Sequence, residues 1–421
     1  VDICVIGAGY VGLITACGLA KLGHEVSCVD IDPRKVEMVN NGRAPIFEEG
    51  LEQLLREVTG KRLHATINLK EALTPSEVVF ICVGTPSAPD GSIDLSFVKK
   101  AFMDILSSTD SYKAIVVKST VVPGTCDSLA AMAEKELGKK QGKDYGLCVN
   151  PEFLREGKAL HDFLNPDRIV IGAEDSKSRE PIEKIYSSFS GPILKTDTKT
   201  AEMIKYASNS LLATKISFAN EVGNLCKNLR IDVHEVMDGV GMDKRIERSF
   251  LNAGAGYGGS CFPKDVKALI FLSEKKGVEP ALLRSVVEVN ECQPLRLVEI
   301  AKRKLENLEG KKVSVLGLAF KPDSDDMREA PSIKVINALI EEGADVIAYD
   351  PQATENAKRI FGDKIGFASS LQEALDFSDT VFILTEWDEF RQEAHYQGKT
   401  VFDGRKVLNK KSGGNYEGIC W

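Results

Sequence analysis

Residues Asp2 to Asp30 read DICVIGAGYVGLITACGLAKLGHEVSCVD, and the changes of pattern within them decide the fold. DICVIG is a short apolar run suited to a strand buried on both faces, LITACGLAKLG has the spacing of a helix, and HEVSCVD returns to strand. Gly7, Gly9 and Gly12 fit a dinucleotide fingerprint. The first allows the tight turn, the second lets backbone approach a pyrophosphate, and the third lets helix pack closely on strand. Asp30 ends the second strand at the offset from which a carboxylate holds a ribose hydroxyl and selects NAD over NADP. Lys35 would favour a 2′-phosphate, but Asp30 repels one, so NAD is the expected cofactor.

Further strands follow: VVFICVG running to Thr85, AIVVKST ending at Thr120, and YGLCVN ending just before Glu152. In a parallel α/β sheet the carboxyl ends of strands face the ligand crevice, which puts Thr85, Thr120 and the NPEFLREG loop beside the cofactor. A threonine after a strand also serves as a plain helix cap, and singly either one reads that way. From Thr198 to Leu229 the pattern is one long helix. Lys205 and Asn209 lie four apart on it and so share a face, although on an arbitrary helix such a pair is a solvated stripe.

Lys311 begins a second version of the opening. KKVSVLGLAF, SIKVINALIEEG and ADVIAYD repeat the order strand, turn, helix, strand and acid, but the turn has lost its second and third glycines, and 33 residues separate Gly317 from Asp350 against 23 from Gly7 to Asp30. A dinucleotide clamp is not expected here. Lys321 and Arg328 stand in its place as cations suited to a diphosphate or a carboxamide. VFILT and TVFDGRKV complete this sheet, the latter bringing Arg405, and the Gly- and Lys-rich tail from Lys410 is expected to be poorly ordered. The fold class is therefore α/β, with two Rossmann-like doubly wound domains joined by a long central helix and a small helical domain. The expected boundaries are residues 1–197, 198–300 and 301–421.

At 421 residues the chain exceeds one core. Its formal charge of −8, with no dense basic cluster, argues against a nucleic-acid partner or an anionic membrane surface. An anionic substrate must then be met by local lysines and arginines. The ten cysteines are scattered, without the spacing of a zinc site or the density of a disulfide scaffold. No metal is expected, and reduced thiols in the cytoplasm are the simplest account. No apolar run approaches the roughly 20 residues of a membrane span, and the chain opens on a strand rather than a signal sequence.

Gly256 to Asp265 read GYGGSCFPKD and are followed by the helical run DVKALIFLSEKKG. Pro263 suits a first helical turn, so Cys261 is expected at a helix N-terminus, where the dipole and the nearby Lys264 favour a thiolate. Most unpaired cysteines are small packed residues. Here Gly254, Gly256, Gly258 and Gly259 strip side chains from around the thiol, as close approach by a ligand or another backbone requires.

In order along the chain, VIGAGYVG, VGTPS, KSTVVPGT, NPEFLREG, FLNPDRIVIG, AEMIKYASNS, GMDKRI, the cysteine loop, GLAFKPDSDDMRE and FDGRKV resemble the UDP-glucose 6-dehydrogenase family of nucleotide-sugar dehydrogenases. The resemblance covers nearly the whole chain. It implies a four-electron oxidation of UDP-glucose at its sixth carbon, with two NAD and one water, through a thiohemiacetal and a thioester on Cys261. It implies that Lys205 and Asn209 stabilise an oxyanion, that Asp265 and Glu152 are the candidate bases, and that Thr120 borders the reacting centre. Which carboxylate acts at which step stays open.

Cofactor contacts implied in the same way are Gly7, Gly9, Tyr10, Val11, Gly12, Asp30, Lys35, Thr85, Thr120, Glu156, Lys264 and Arg328. Substrate contacts are Glu152, Phe153, Leu154, Arg155, Lys205, Asn209, Phe250, Leu251, Asn252, Ala253, Gly254, Gly258, Lys321 and Arg405. Arg245 would come from a neighbouring subunit of a homodimer built on the long helix. Relatives acting on UDP-N-acetylmannosamine or UDP-N-acetylglucosamine tend to carry GGHCIAVDP where this chain has GGSCFPKD, and they are the runner-up. A two-electron hydroxyacid dehydrogenase would need neither Cys261 nor the second strand–turn–helix–strand unit. A non-catalytic NAD-sensing module would leave the cysteine loop without a purpose.

Overall fold

The computed structural model describes residues Val1–Trp421. Its contacts divide the chain into Val1–Ser208 and Asn209–Trp421, and the division falls inside the helix Thr198–Leu229. In the first unit the strands are β1 (Asp2–Ile6), β2 (Glu25–Val29), β3 (Leu63–Thr66), β4 (Val78–Ile81), β5 (Ala114–Val117), β6 (Gly146–Val149), β7 (Ile169–Ala173) and β8 (Ile193–Thr196). They form one sheet in the order β3-β2-β1-β4-β5-β6-β7-β8. Every pairing is parallel except β6 with β7.

Both faces of this sheet are covered, which is why its strands read as unbroken apolar runs. Ile3 and Val5 of β1 join Phe80, Leu13 and Ile14 in one core layer, while Cys4 and Ile6 join Ile81, Val98 and Phe102 in the other. Each such large side chain contributes about 1.5–3 kcal/mol on burial. The strand order reverses between β1 and β4, so the crevice beyond their carboxyl ends is where a doubly wound sheet takes a ligand.

The second unit has β9 (Lys312–Leu316), β10 (Asp345–Tyr349), β11 (Gly366–Phe367), β12 (Thr380–Ile383), β13 (Thr400–Asp403) and β14 (Tyr416–Gly418). Their order, β11-β10-β9-β12-β13-β14, repeats the strand order of the first six strands, with every pairing parallel. Besides the sheet this unit holds the helices Val233–Gly241, Phe262–Lys275 and Ala281–Leu305.

The tail departs from expectation. Its Gly- and Lys-rich start leads into β14, and Tyr416, Ile419, Cys420 and Trp421 are buried in the core of the unit. Lys227 donates to Trp421 O at 2.9 Å and to Glu417 at 2.7 Å, and Lys304 holds the same glutamate at 2.9 Å. The polar composition of Lys410–Gly414 was a poor guide because the four apolar residues beyond it order the segment.

Candidate active site

The glycine turn after β1 has the form a dinucleotide needs. Gly7 has φ +103°, and a Cβ on Gly12 would lie 1.8 Å from Gly7 O, so the helix Tyr10–Lys21 can start this close to β1 only with hydrogen at position 12. No side chain caps that helix, and a Cβ on Gly9 would meet nothing within 4 Å. Unsatisfied first-turn amides facing open space suit a pyrophosphate. Asp30, at the end of β2, accepts from Ala8 N at 2.7 Å and from Asp32 N at 2.9 Å, with Lys35 3.9 Å away. The carboxylate is thereby fixed beside the turn. Ile31 and Ile67, just past β2 and β3, expose apolar side chains near this edge.

In the second unit the corresponding acid is already engaged. Asp350 accepts from Leu318 N, Ala319 N and Trp387 Nε1 at 2.7, 3.1 and 3.1 Å. The tryptophan ties up an oxygen that a ribose would otherwise reach, and the helix Pro331–Glu341 starts on a proline that has no amide to offer.

Beyond β6, Glu152 and Lys205 form a buried ion pair at 2.8 Å. Burial would raise the Glu152 carboxyl, but the Lys205 ammonium, the Leu154 amide at 2.6 Å and the charge of Lys118 outweigh it and hold the group below its ordinary value. Lys205 also lies 5.5 Å from the Phe153 ring centroid, and the Arg168 guanidinium lies 3.8 Å from the same ring. The loop is tied to the glycine turn by Glu48, a residue absent from the sequence reading. Its carboxylate accepts from Tyr10 Oη, from Gly157 N at 2.8 Å and from Ala159 N at 2.6 Å. Thr85 and Thr120 are half-buried just past β4 and β5, and Glu156 is half-buried before Gly157.

In the second unit Cys261 immediately precedes the helix Phe262–Lys275, and Pro263 sits in its first turn. The thiol is half-buried, 3.5 Å from Ser260 Oγ, and none of the ten cysteines is in a disulfide. Two neighbouring backbones explain much of the surrounding glycine. A Cβ on Gly258 would meet Glu329 O at 2.4 Å, and one on Gly254 would meet Gly404 O at 2.7 Å. Amides the sequence did not flag pin the loop: Asn220 Oδ1 accepts from Gly254 N at 2.8 Å, Asn290 Oδ1 accepts from Tyr257 N at 2.8 Å, and Gln293 donates to Gly254 O at 3.0 Å. Asp265 is buried one turn into the helix, where its amide donates to Cys261 O at 2.9 Å. Lys264, in the same first turn, pairs with Asp265 at 2.5 Å.

The other expected residues divide. Arg405 is half-buried and donates to Leu384 O and Phe320 O at 3.1 and 3.3 Å, and Lys321 lies 5.6 Å from the Phe320 ring centroid. Leu251 and Ala253 are core residues, Asn252 is exposed, and Phe250 has a left-handed φ of 64°, a conformation that costs a bulky residue energy and often accompanies a working loop. Arg155, Arg245 and Arg328 are exposed, and each binds a nearby carboxylate of its own unit: Asp162, Asp243 and Asp326.

Comparison with known proteins accords with this geometry. Three models of the UDP-glucose/GDP-mannose dehydrogenase family match: the NAD binding domain over residues 1–190, the central domain over 199–292 and the UDP binding domain over 314–410. A UDP-glucose 6-dehydrogenase from Haloferax volcanii is 43% identical over 431 residues, covering 99% of this chain and 100% of that protein. The structure of a UDP-glucose dehydrogenase from Pyrobaculum islandicum superposes with a TM-score of 0.93 at 43% identity, covering 100% of this chain and 97% of that one. A UDP-D-ManNAc dehydrogenase from Pyrococcus horikoshii gives 0.88 at 28% identity, with 99% and 98% covered. NAD is the cofactor that the first of these domains binds, and the chain, an NAD-dependent oxidoreductase, belongs to the UDP-glucose/GDP-mannose dehydrogenase family.

Proposed function

We propose that the protein oxidises the sixth carbon of UDP-glucose to a carboxylate, consuming two NAD and one water and releasing UDP-glucuronate, two NADH and three protons. The dinucleotide, held by the turn from Gly7 to Gly12 and by Asp30, supplies the two-electron acceptor for each oxidation. The chain's own side chains do the rest. An aldehyde is a poor hydride donor until a nucleophile adds to its carbonyl, and the Cys261 sulfur, favoured as thiolate by the helix end it precedes, is that nucleophile. The resulting thiohemiacetal becomes a thioester on oxidation, and water then cleaves it.

Asn209 and Lys205 stabilise the oxyanions formed on the way. Asp265 takes the alcohol proton through water or Lys205, and Glu152 activates the hydrolytic water. Lys321, Arg405, the loop from Phe250 to Gly254, Gly258 and the segment Phe153–Arg155 hold the nucleotide sugar. Thr85, Thr120, Glu156, Lys264 and Arg328 border the cofactor. The division into residues 1–197, 198–300 and 301–421 belongs to the same proposal.

The observation that best supports this reading is the cysteine at the start of the helix Phe262–Lys275, on a loop fixed by three buried amides and with Asp265 one turn away. A two-electron dehydrogenase has no need of it. A homodimer is part of the proposal and is supported by Leu211, Phe218 and Leu225, which recur every seven residues on the long helix and are 62%, 53% and 59% exposed. Arg245 would serve the neighbouring copy. Cytoplasmic residence is supported by the unbridged thiols, and no helix is long and apolar enough to cross a membrane.

NADH absorbance over a panel of UDP-glucose, UDP-N-acetylmannosamine, UDP-N-acetylglucosamine and a small hydroxy acid tests the reading. UDP-glucose should give the highest kcat/KM. Preference for an N-acetylated sugar would move the assignment to that substrate, and turnover of the small acid alone would overturn it.

A further inference from the structure

We infer that Lys118 is a positioning residue for this reaction: its buried ammonium fixes Asn150 at the root of the Glu152 loop and, together with Lys205, keeps the Glu152 carboxylate charged and aimed. The inference rests on the reading of Glu152 as the base.

Lys118 directly follows β5 and is 4% exposed. Its Nζ donates to Asn150 Oδ1 at 2.9 Å and lies 3.4 Å from Tyr186 Oη and 3.5 Å from Asn150 O. Asn150 is held from further sides. Its Oδ1 also accepts from Tyr186 Oη at 2.7 Å, its Nδ2 donates to Val170 O at 2.8 Å, and its backbone N donates to Val117 O at 3.0 Å. One side chain therefore ties β5, β7 and the helix Ser176–Tyr186 together two residues before Glu152. A neutral group could make that tie, so the positive charge calls for its own explanation.

No carboxylate contacts this ammonium. The Cys82 thiol nearby is pushed up to about 12 by burial, and the Tyr186 hydroxyl is raised by burial too, so both are neutral around pH 7. Burial lowers Lys118 itself to about 8, with Cys82 and Glu152 opposing the shift and Lys205 adding to it, which leaves it mostly protonated at neutral pH. The carboxylate it acts on is Glu152, which is in contact with Lys205 from the long helix and with Leu154 N from its own loop, while Arg168 covers the adjoining Phe153 ring. One buried carboxylate thus has two buried ammonium groups near it. A buried charge with no carboxylate in contact is costly, and here it helps to lower the proton affinity of Glu152.

The test uses the full-length enzyme with Lys118→Met, which keeps length but not charge, and Lys118→Gln, which keeps a donor for Asn150. The readout is the pH profile of kcat for acid formation. Loss of the charge should move the acidic limb upward by about one unit, a tenfold loss at pH values below it, while KM for NAD changes less than about threefold. Should the Met variant fail to fold, the Gln variant decides. A limb that stays in place in a folded variant, with kcat merely lowered, overturns the inference. Glu152→Gln is the control. If it abolishes the limb while the Lys118 variants leave it unmoved, only the role of Lys118 is wrong; if it keeps the limb and near-normal turnover, Glu152 is not the base and the inference falls with it.

Discussion

Asn209 Nδ2 donates to Asp265 Oδ2 at 2.6 Å, while Lys264 Nζ meets the other carboxylate oxygen at 2.5 Å. A buried acid is thus held from both sides, and its orientation depends on both partners. Asp265→Asn keeps the volume but leaves Lys264 without its counter-ion and sets amide against amide. It should lower kcat by roughly 10²–10⁴-fold with the far-ultraviolet circular dichroism unchanged. Steady-state kinetics checks this, and activity within fivefold of the parent would remove Asp265 from the mechanism.

Asp30 spends one hydrogen bond on each oxygen, to Ala8 N and Asp32 N, and still presents its charge beside the glycine turn. Asp30→Ala should cost about tenfold or more in kcat/KM for NAD and narrow the preference over NADP, since the group repelling a 2′-phosphate is gone. The ratio of kcat/KM for the two cofactors is the measurement, and an unchanged ratio contradicts the assignment.

His234 packs its ring 5.0 Å from Trp421, and burial lowers it to about 4, with the Asp232 charge opposing the shift. A folded-state value below the unfolded 6.5 means that the neutral ring favours the folded form. This stability is complete above about pH 6.5 and is lost as pH falls toward 4, at roughly 1.4 kcal/mol per unit, or on the order of 3–4 kcal/mol in all. Urea melts from pH 4 to 7 should show the loss in the parent and a flatter profile in His234→Phe. Parallel profiles would show that the ring does not report on the seating of Trp421.

The exposed apolar repeat on the long helix should be an interface. Phe218→Glu with Leu225→Glu should give monomers by light scattering at concentrations where the parent is dimeric, because two carboxylates would be buried unpaired. In the same spirit, mixing Arg245→Ala with Cys261→Ala chains should recover activity in mixed dimers, each carrying one intact site. A parent that is monomeric, or mixed dimers without activity, contradicts the respective half of this prediction.

What could be read from sequence followed the range of the interactions. Gly7, Gly12 and Asp30 act within one strand–helix–strand unit, so local pattern sufficed, and the repeat from Lys311 announced a second sheet with the same strand order. The glycines around Cys261 signalled a close approach, but that Glu329 and Gly404 are among the approaching backbones depends on segments far along the chain. Lys118 was illegible for a different reason: a lysine at a strand end looks solvated until Asn150 and Tyr186 are seen to enclose it. Glu48 joins Tyr10 to Gly157 across long stretches of sequence, and nothing local marks it. The tail misled because Lys410–Gly414 dominated its composition while Tyr416 and Trp421 dominate its burial.

NADH released per sugar under limiting UDP-glucose decides whether Cys261 carries the sugar through the second oxidation. Two NADH per sugar and no free aldehyde are expected. Cys261→Ser should stall as an ester detectable by mass spectrometry, since an oxygen ester resists hydrolysis more than a thioester, and Cys261→Ala should form no acid. One NADH per sugar in the parent, or near-normal acid formation by Cys261→Ala, would show that Cys261 is a packed residue on a glycine loop and that the oxidation proceeds without it.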